Sequence, residues 1–333
     1  MTDLIKKVML APNKAIDFES EHLKKGYPFL ASRKLDGMRA VSLEGKFFSR
    51  SMKPLRDGVQ EAFEDFLSES NRAGLVFDGE LYSHNLDFSQ LMSILRRGGS
   101  EVPSHVKFHI FDVMSVAEWK YGGERPFADR VSEYCNWVNH YWDRGDYAEA
   151  FRAEPVNQFV CKNSEDIRLH FNDAIDEQFE GLMLRDPLGR YKHGRGTLRE
   201  GLIYKFKEWV TVDAKIVGYK RATRMKKEYA DSDRGTDELG HSHRTSAKDT
   251  REEYDGIGSI VLLSSDGVEF GAGIAKECDF KITWADRDAY LGRWVEARFM
   301  RHGAKDRPRF AGITRTRDDL SDSDSVEGLK DIL

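Results

Sequence analysis

Residues 29–43 read FLASRKLDGMRAVSL, two apolar stretches (29–31 and 38–43) joined by a polar link. Both stretches are short and suit half-buried strands, and Gly37 supplies the backbone freedom that a tight connection needs. Lys34 therefore falls in a link between two strands. Taken alone, it reads equally well as a solvated turn lysine and as a reactive amine.

Outward from this segment, similar runs recur at 75–82, 106–114, 181–184 and 202–206, bounded by Gly, Asp and Ser. Helix-period stretches lie between them at 58–68, 87–95, 127–141 and 164–179. In the last, Ile167, Phe171, Ala174 and Ile175 share a face, and Ser164 is positioned to cap the start. Strands and helices mix without a regular βαβ alternation, which favours an α+β fold over a doubly wound sheet.

Past Trp209 the character changes. Residues 221–257 are polar and charged with no clear period, the pattern of a long mobile loop or insertion. Short strands flank it at 212–219, 259–263, 268–273, 294–300 and 310–314, with a helical pattern at 279–291, the make-up of a small OB-type β-barrel. The expected organisation is an N-terminal domain at 1–209, a barrel at 210–317 and a flexible acidic tail at 318–333. No internal repeat is evident.

Composition bounds the function. The chain has 333 residues, three cysteines and a formal net charge of −5. No apolar run is long enough to span a membrane, and no secretory leader pattern opens the chain. An odd cysteine count without a CxxC pair argues against a disulfide framework or thiolate zinc site and fits a reducing cytoplasm. The acidic balance argues against a polyanion partner only until it is located: residues 318–333 hold six acidic side chains and one Lys, while 293–317 hold eight basic against two acidic. A basic stretch followed by an acidic tail leaves polyanion binding open.

Five further segments accompany the hexapeptide Lys34-Leu35-Asp36-Gly37-Met38-Arg39: Ser49-Arg50, Asp78-Gly79-Glu80-Leu81, Phe111-Asp112, Glu180-Gly181-Leu182-Met183-Leu184-Arg185 and Lys205-Phe206-Lys207. With all six in this order the chain resembles the covalent nucleotidyltransferases, which include ATP-dependent DNA ligases, RNA ligases and mRNA capping enzymes. The resemblance implies an adenylation domain of packed antiparallel sheets with helices, followed by an OB-fold barrel. The EGLMLR form of the fourth motif and the barrel after KxK are closer to DNA ligases than to capping enzymes and many RNA ligases. With 33 residues before Lys34, the expectation is a compact two-domain ligase of the bacteriophage or viral type, in the host cytoplasm if phage-encoded.

Chemistry gives these residues tasks. An ordinary lysine is protonated at neutral pH, and neighbouring cations, here Lys205 and Lys207 with a divalent ion, disfavour a further ammonium. Spaced by two, Lys205 and Lys207 share a strand face and can neutralise a phosphate. By resemblance, Lys34 is the nucleophile toward ATP, Glu180 with Glu80 holds the metal, expected to be Mg²⁺, and Glu80 holds the ribose. Phe111 stacks on adenine, and Ser32 and the backbone at Arg33 meet its edge. Arg39 and Arg50 are aimed at phosphates, where a guanidinium binds bidentately. Arg195 is matched to a 5′-phosphate, although a solvated loop arginine accounts for it as well. The RxDK ending of many relatives is missing; Arg307 or Arg309 replaces it or contacts DNA. The expected partner is nicked duplex DNA bound through its backbone, by a monomer. RNA ligation, GTP-dependent capping and a silent nucleic-acid-binding module are the alternatives.

Overall fold

A computed structural model describes residues 6–14, 16–24, 26–97, 101–143, 151–226, 251–276, 278, 281–301 and 307–333. The chain divides into two compact units, one running through Lys207 and the other starting at Glu208. No helix among the described residues is long and apolar enough to cross a membrane.

In chain order the first unit carries β1 (Met9–Leu10), β2 (Phe29–Arg33), β3 (Met38–Leu43), β4 (Lys46–Ser49), β5 (Leu75–Tyr82), β6 (Lys107–Ser115), β7 (Ala153–Pro155), β8 (Phe159–Cys161), β9 (Gly181–Arg185), β10 (Gly194–Arg195) and β11 (Ile203–Lys207). One sheet has the order β4-β3-β5-β6-β7 and the other β11-β9-β2-β8; all pairings in them are antiparallel except β6 with β7. Period-2 alternation sorts each strand. Phe77 and Leu81 of β5, with Phe47, Phe108 and Ile110, pack beneath helices Glu64–Arg72, Phe88–Arg96 and Phe127–Trp142. Phe29, Ala31, Leu182, Leu184, Tyr204 and Phe206 pack with Ile167 and Ala174 of helix Ser164–Asp176. Between the sheets lies a third apolar layer, including Val41, Leu43, Val76, Met114 and Ile203. Two sheets face to face with helices outside is the α+β arrangement expected from the sequence.

Strands β4, β7 and β8 lie outside the expected runs, and two local details of the helices differ as well. Asn163, not Ser164, caps the helix, accepting from the Asp166 amide at 2.8 Å; its carboxamide is a strong N-cap, so the helix starts one residue after it. The 58–68 helix is two, Asp57–Ala62 and Glu64–Arg72, broken at Phe63.

The second unit is a closed barrel of β12 (Val210–Met225), β13 (Arg251–Ser264), β14 (Glu269–Ile274), β15 (Trp294–Met300) and β16 (Arg309–Thr316), ordered β12-β13-β14-β16-β15, with β15 returning to β12. Its core includes Val212, Ile216, Leu262, Phe270, Val295, Phe299 and Ile313. The long loop expected at 221–257 is partly strand: β12 and β13 stay paired from Arg221↔Ile257 out to Met225↔Arg251. Exposed strands need no apolar alternation, so a polar pattern did not reveal them; residues 227–250 lie outside the described residues. Of the helix expected at 279–291, the described part (281–291) shows a single 3₁₀ turn, Arg287–Tyr290, preceded by a turn in which Asp286 accepts from the Thr283 amide at 2.6 Å.

The tail is also not the free end expected. Helix Leu329–Ile332 buries Leu329 completely in the barrel core, with Ile332 and Leu333 against it, and Asp266 accepts from the Lys330 amide at 2.6 Å. Three apolar residues in the last five outweigh the acidic composition of the segment.

Candidate active site

The alternation that builds the core of the first unit also builds a cleft. With Leu182 and Leu184 turned into the core, Met183 and Arg185 line the opposite face of β9; with Tyr204 and Phe206 buried, Lys205 and Lys207 do so on β11; Ser32 precedes Lys34 by two on β2. From the other sheet come Arg39 of β3 and Glu80 of β5, which are direct cross-strand partners. Phe111 reaches the cleft by another device: Asp78 opposes Asp112 and Gly79 opposes Ile110, so Phe111 is the extra residue of a β-bulge. A bulge re-aims a side chain without breaking the sheet.

Lys34 sits just past β2. Its amide donates to the Gly181 carbonyl at 2.9 Å, and the Glu180 amide donates to the Lys34 carbonyl at 3.1 Å, so the backbone clamps lysine and glutamate together. Gly181 has φ +142°, and a Cβ there would lie 2.2 Å from the Phe206 carbonyl oxygen. At Gly37 a Cβ would meet the Leu81 carbonyl oxygen at 2.3 Å. Both glycines are close-approach positions.

Glu180, 3% exposed, bridges the Lys34 and Lys207 ammonium groups, one with each carboxylate oxygen. Burial works to raise its pKa, but the two lysines outweigh it and hold the carboxyl down at about 2. Lys205, desolvated and beside Lys207, Lys34 and Arg195, is lowered to about 8. Glu80 is raised to about 7 by burial, with Glu180 and Asp36 adding to the effect against Arg39 and Lys34.

Arg39 was expected to face phosphate. Its guanidinium grips the fully buried Asp78, with Nε to Oδ1 at 2.5 Å and Nη2 to Oδ2 at 2.6 Å, and lies 4.4 Å from the Phe111 ring centroid, while the residue still lines the cleft. Tyr191 donates to the same carboxylate at 2.6 Å. Arg50 and Arg195 both line the cleft, and Arg195 donates to the Ala11 carbonyl at 2.7 Å. The Arg33 side chain pairs with Glu177, both contacts at 2.8 Å, while its residue still borders the cleft.

Sequence reading missed a second buried network. Asp112, fully buried, accepts from Arg130 Nε at 2.6 Å and Arg185 Nη2 at 2.7 Å, and Arg185 lies over Phe127 at 3.9 Å. Burial favours the protonated acid, but the two arginines outweigh it and lower its pKa. Asp112 and Arg185 close two of the six motifs, a signal for structural importance; Arg130 has none.

In the second unit Arg309 opens β16, and Arg307 lies two residues before it. At the other end of that strand two basic residues are paired within the second unit, Arg315 with Glu296 at 2.9 Å and Arg317 with Asp213 at 2.6 Å and Asp319 at 2.9 Å.

A family model for the ATP dependent DNA ligase domain matches residues 8–207, which includes the whole cleft. The chain belongs to this family. A DNA ligase of Nitrosopumilus maritimus (strain SCM1) is 25% identical over 195 residues, 53% of this chain and 31% of that protein. The chain therefore spans about a third of the length of this curated relative. Among solved structures, Pmar-Lig_Pre aligns with TM-score 0.68 at 20% identity over 94% of this chain and 68% of that one. Chlorella virus DNA ligase-adenylate aligns with TM-score 0.50 at 25% identity over 95% of this chain and 100% of that one. These likenesses support a ligase-family fold of adenylation unit and OB-type barrel.

Proposed function

We propose that this ligase-family chain is an ATP-dependent DNA ligase that seals nicks in duplex DNA through a lysyl-AMP intermediate. The observation that carries the reading is the convergence of Lys34, Glu180, Lys205 and Lys207 on one cleft, within the matched segment. That a viral relative is described as a ligase-adenylate supports a covalent nucleotide.

Lys34 Nζ gives up one proton to solvent and, as the free amine, attacks the α-phosphorus of ATP; the new N–P bond forms as the bond to pyrophosphate breaks, and a second proton leaves the nitrogen to give the neutral phosphoramidate N–H. Entering phosphates compete with Glu180 for Lys207 and recruit Lys205, whose charges stabilise the oxygens of the transition state. Phe111 offers its ring to the base, and Glu80 its carboxyl to the ribose. The AMP then passes to the 5′-phosphate of a nick, and attack by the 3′-hydroxyl forms the phosphodiester and releases AMP. Arg50 and Arg195 line the cleft on the path of those phosphates, and Arg307 and Arg309 of the barrel are assigned to pyrophosphate or DNA backbone.

The donor set fits Mg²⁺. Glu80 and Glu180 are both carboxylates; burial, with the charge of Glu180 adding to it, keeps Glu80 raised, and a bound cation would lower it. No cluster of three or more protein ligands occurs among the described residues; Mg²⁺ is commonly held by one or two carboxylates plus phosphates and water. When bound it would polarise the α-phosphate.

The test is intact mass after incubation with ATP and Mg²⁺. A gain of one AMP, reversed by pyrophosphate and absent in Lys34→Ala, is expected, together with loss of all sealing of unadenylylated nicks in that variant. Lysyl-AMP persisting in Lys34→Ala, or guanylylation by GTP in place of adenylylation, refutes the assignment.

A further inference from the structure

Gln158 lines the cleft together with Phe111, Phe127 and Val156, yet lies in none of the six motifs. Its carboxamide is engaged at one end only. Nε2 donates to the Tyr134 phenol oxygen at 3.2 Å and to the Val156 carbonyl at 3.3 Å. Tyr134 commits its own proton to that same carbonyl at 3.0 Å, so it presents only lone pairs to Gln158.

Two acceptors on one side fix which end of the amide is nitrogen. A flipped side chain would set Oε1 against the Val156 oxygen, with no proton between them. The amide orientation is thus set by the chain itself. It leaves Oε1 at the other end, buried and without a hydrogen-bond partner. A buried carbonyl oxygen in that condition is destabilising unless a donor arrives to meet it.

We propose that Gln158 Oε1 reads the nucleotide base by accepting a hydrogen bond from the exocyclic 6-amino group of adenine. The assignment rests on the nucleotide-transfer reading of the cleft and adds to it the group that selects the base. A 6-oxo purine sets lone pairs against lone pairs at that point. A purine with no 6-substituent leaves the oxygen as unmet as it is in the free protein. Sites built to bond a substrate N–H reject analogues that lack it, because their own polar group then stays unpaired.

Initial rates of covalent mass gain at subsaturating nucleotide test this with ATP, purine riboside 5′-triphosphate and inosine triphosphate, on the unaltered chain and on Gln158→Leu. The unaltered chain should lose about 10-fold on passing from ATP to purine riboside triphosphate, and at least as much with inosine triphosphate. Gln158→Leu should lose about 10-fold with ATP but less than about two-fold with purine riboside triphosphate. Equal losses of the variant with both nucleotides overturn the assignment. So does an unaltered chain that uses inosine triphosphate as well as ATP, a result independent of how the variant folds. No mass gain with ATP on the unaltered chain overturns the transfer reading and this assignment together, an outcome distinct from indiscriminate transfer, which overturns this one alone.

Discussion

In the first unit Asp78 and Asp112 are 0% exposed and Glu180 3%, and each is held by cations or hydroxyls placed around it. In the barrel the carboxylates that pair are wetter: the Glu296 side chain is 20% exposed, Asp319 63% and Asp322 78%. The same residue types therefore do different work. Buried ions in the cleft fix side-chain positions and move pKa values, because removing one partner leaves a charge stranded in low dielectric. Ions on the barrel are screened by water and chiefly reduce one another's field. The barrel's stability must come from its apolar interior.

Asp112→Ala breaks this contrast most sharply. Arg130 and Arg185, 1% and 6% exposed, would lose their common counter-ion while remaining buried. The expected cost is about 3–5 kcal/mol, read as a lowered denaturant midpoint for the first unit. A cost no larger than that of a surface pair would mean that water reaches the network, and the distinction between the units would fall.

Much of this was readable in advance, for a definite reason. Period-2 alternation and turn residues marked β3 and β5 to the residue and β2, β6, β9 and β11 within one or two, because one face of each is buried and a slip would expose it, whereas the short strands β4, β7 and β8 carry too few residues for a pattern to show. The ordered motifs gave Lys34, Glu80, Glu180, Lys205 and Lys207, which the fold brings to one cleft. What stayed hidden depends on distance in sequence. Tyr191 meets Asp78 across 113 residues and Arg130 meets Asp112 across 18, and neither partner carries a local pattern. The outer halves of β12 and β13 were hidden because both their faces are largely polar and exposed. The tail misled because its charge count concealed Leu329, Ile332 and Leu333.

Leu329→Ala probes the other side of the comparison. Leu329 is 0% exposed within the barrel core, so truncation should destabilise the second unit by about 2–4 kcal/mol and lower its Tm. Were the tail a passive acidic extension, the substitution would leave Tm unchanged.

Glu80 offers a pH-dependent test confined to the cleft. Its carboxyl is raised from 4.5 to about 7 in the folded state by burial. Between those values the native chain binds more protons than the unfolded one, so this group's contribution is fully favourable below about pH 4.5 and is lost as pH rises through 7. Glu80→Gln should remove that decline and stabilise the nucleotide-free chain at pH 8 by on the order of 2 kcal/mol, seen by comparing denaturant midpoints at pH 5 and pH 8. Parallel midpoint curves for the two proteins would show that the buried carboxylate is already neutralised, and with it the electrostatic case for a cation beside Glu180 would weaken.

The smallest expected effect sharpens the contrast from the barrel side. Asp322 accepts from Lys215 at 2.5 Å and from Trp294 Nε1 at 3.3 Å, contacts that lower its pKa, and on a drawing it resembles the buried bridges of the cleft. Its carboxylate is nonetheless in water, so unpairing it replaces one solvated state with another. Asp322→Asn keeps the size of the side chain and one carbonyl acceptor while removing the charge. At physiological salt its Tm should be indistinguishable from that of the unaltered chain. A clear drop that disappears in high salt would show that Lys215 and Asp322 act as a unit with the docked tail, and that exposed pairs in the barrel contribute to its stability as the buried ones do in the cleft.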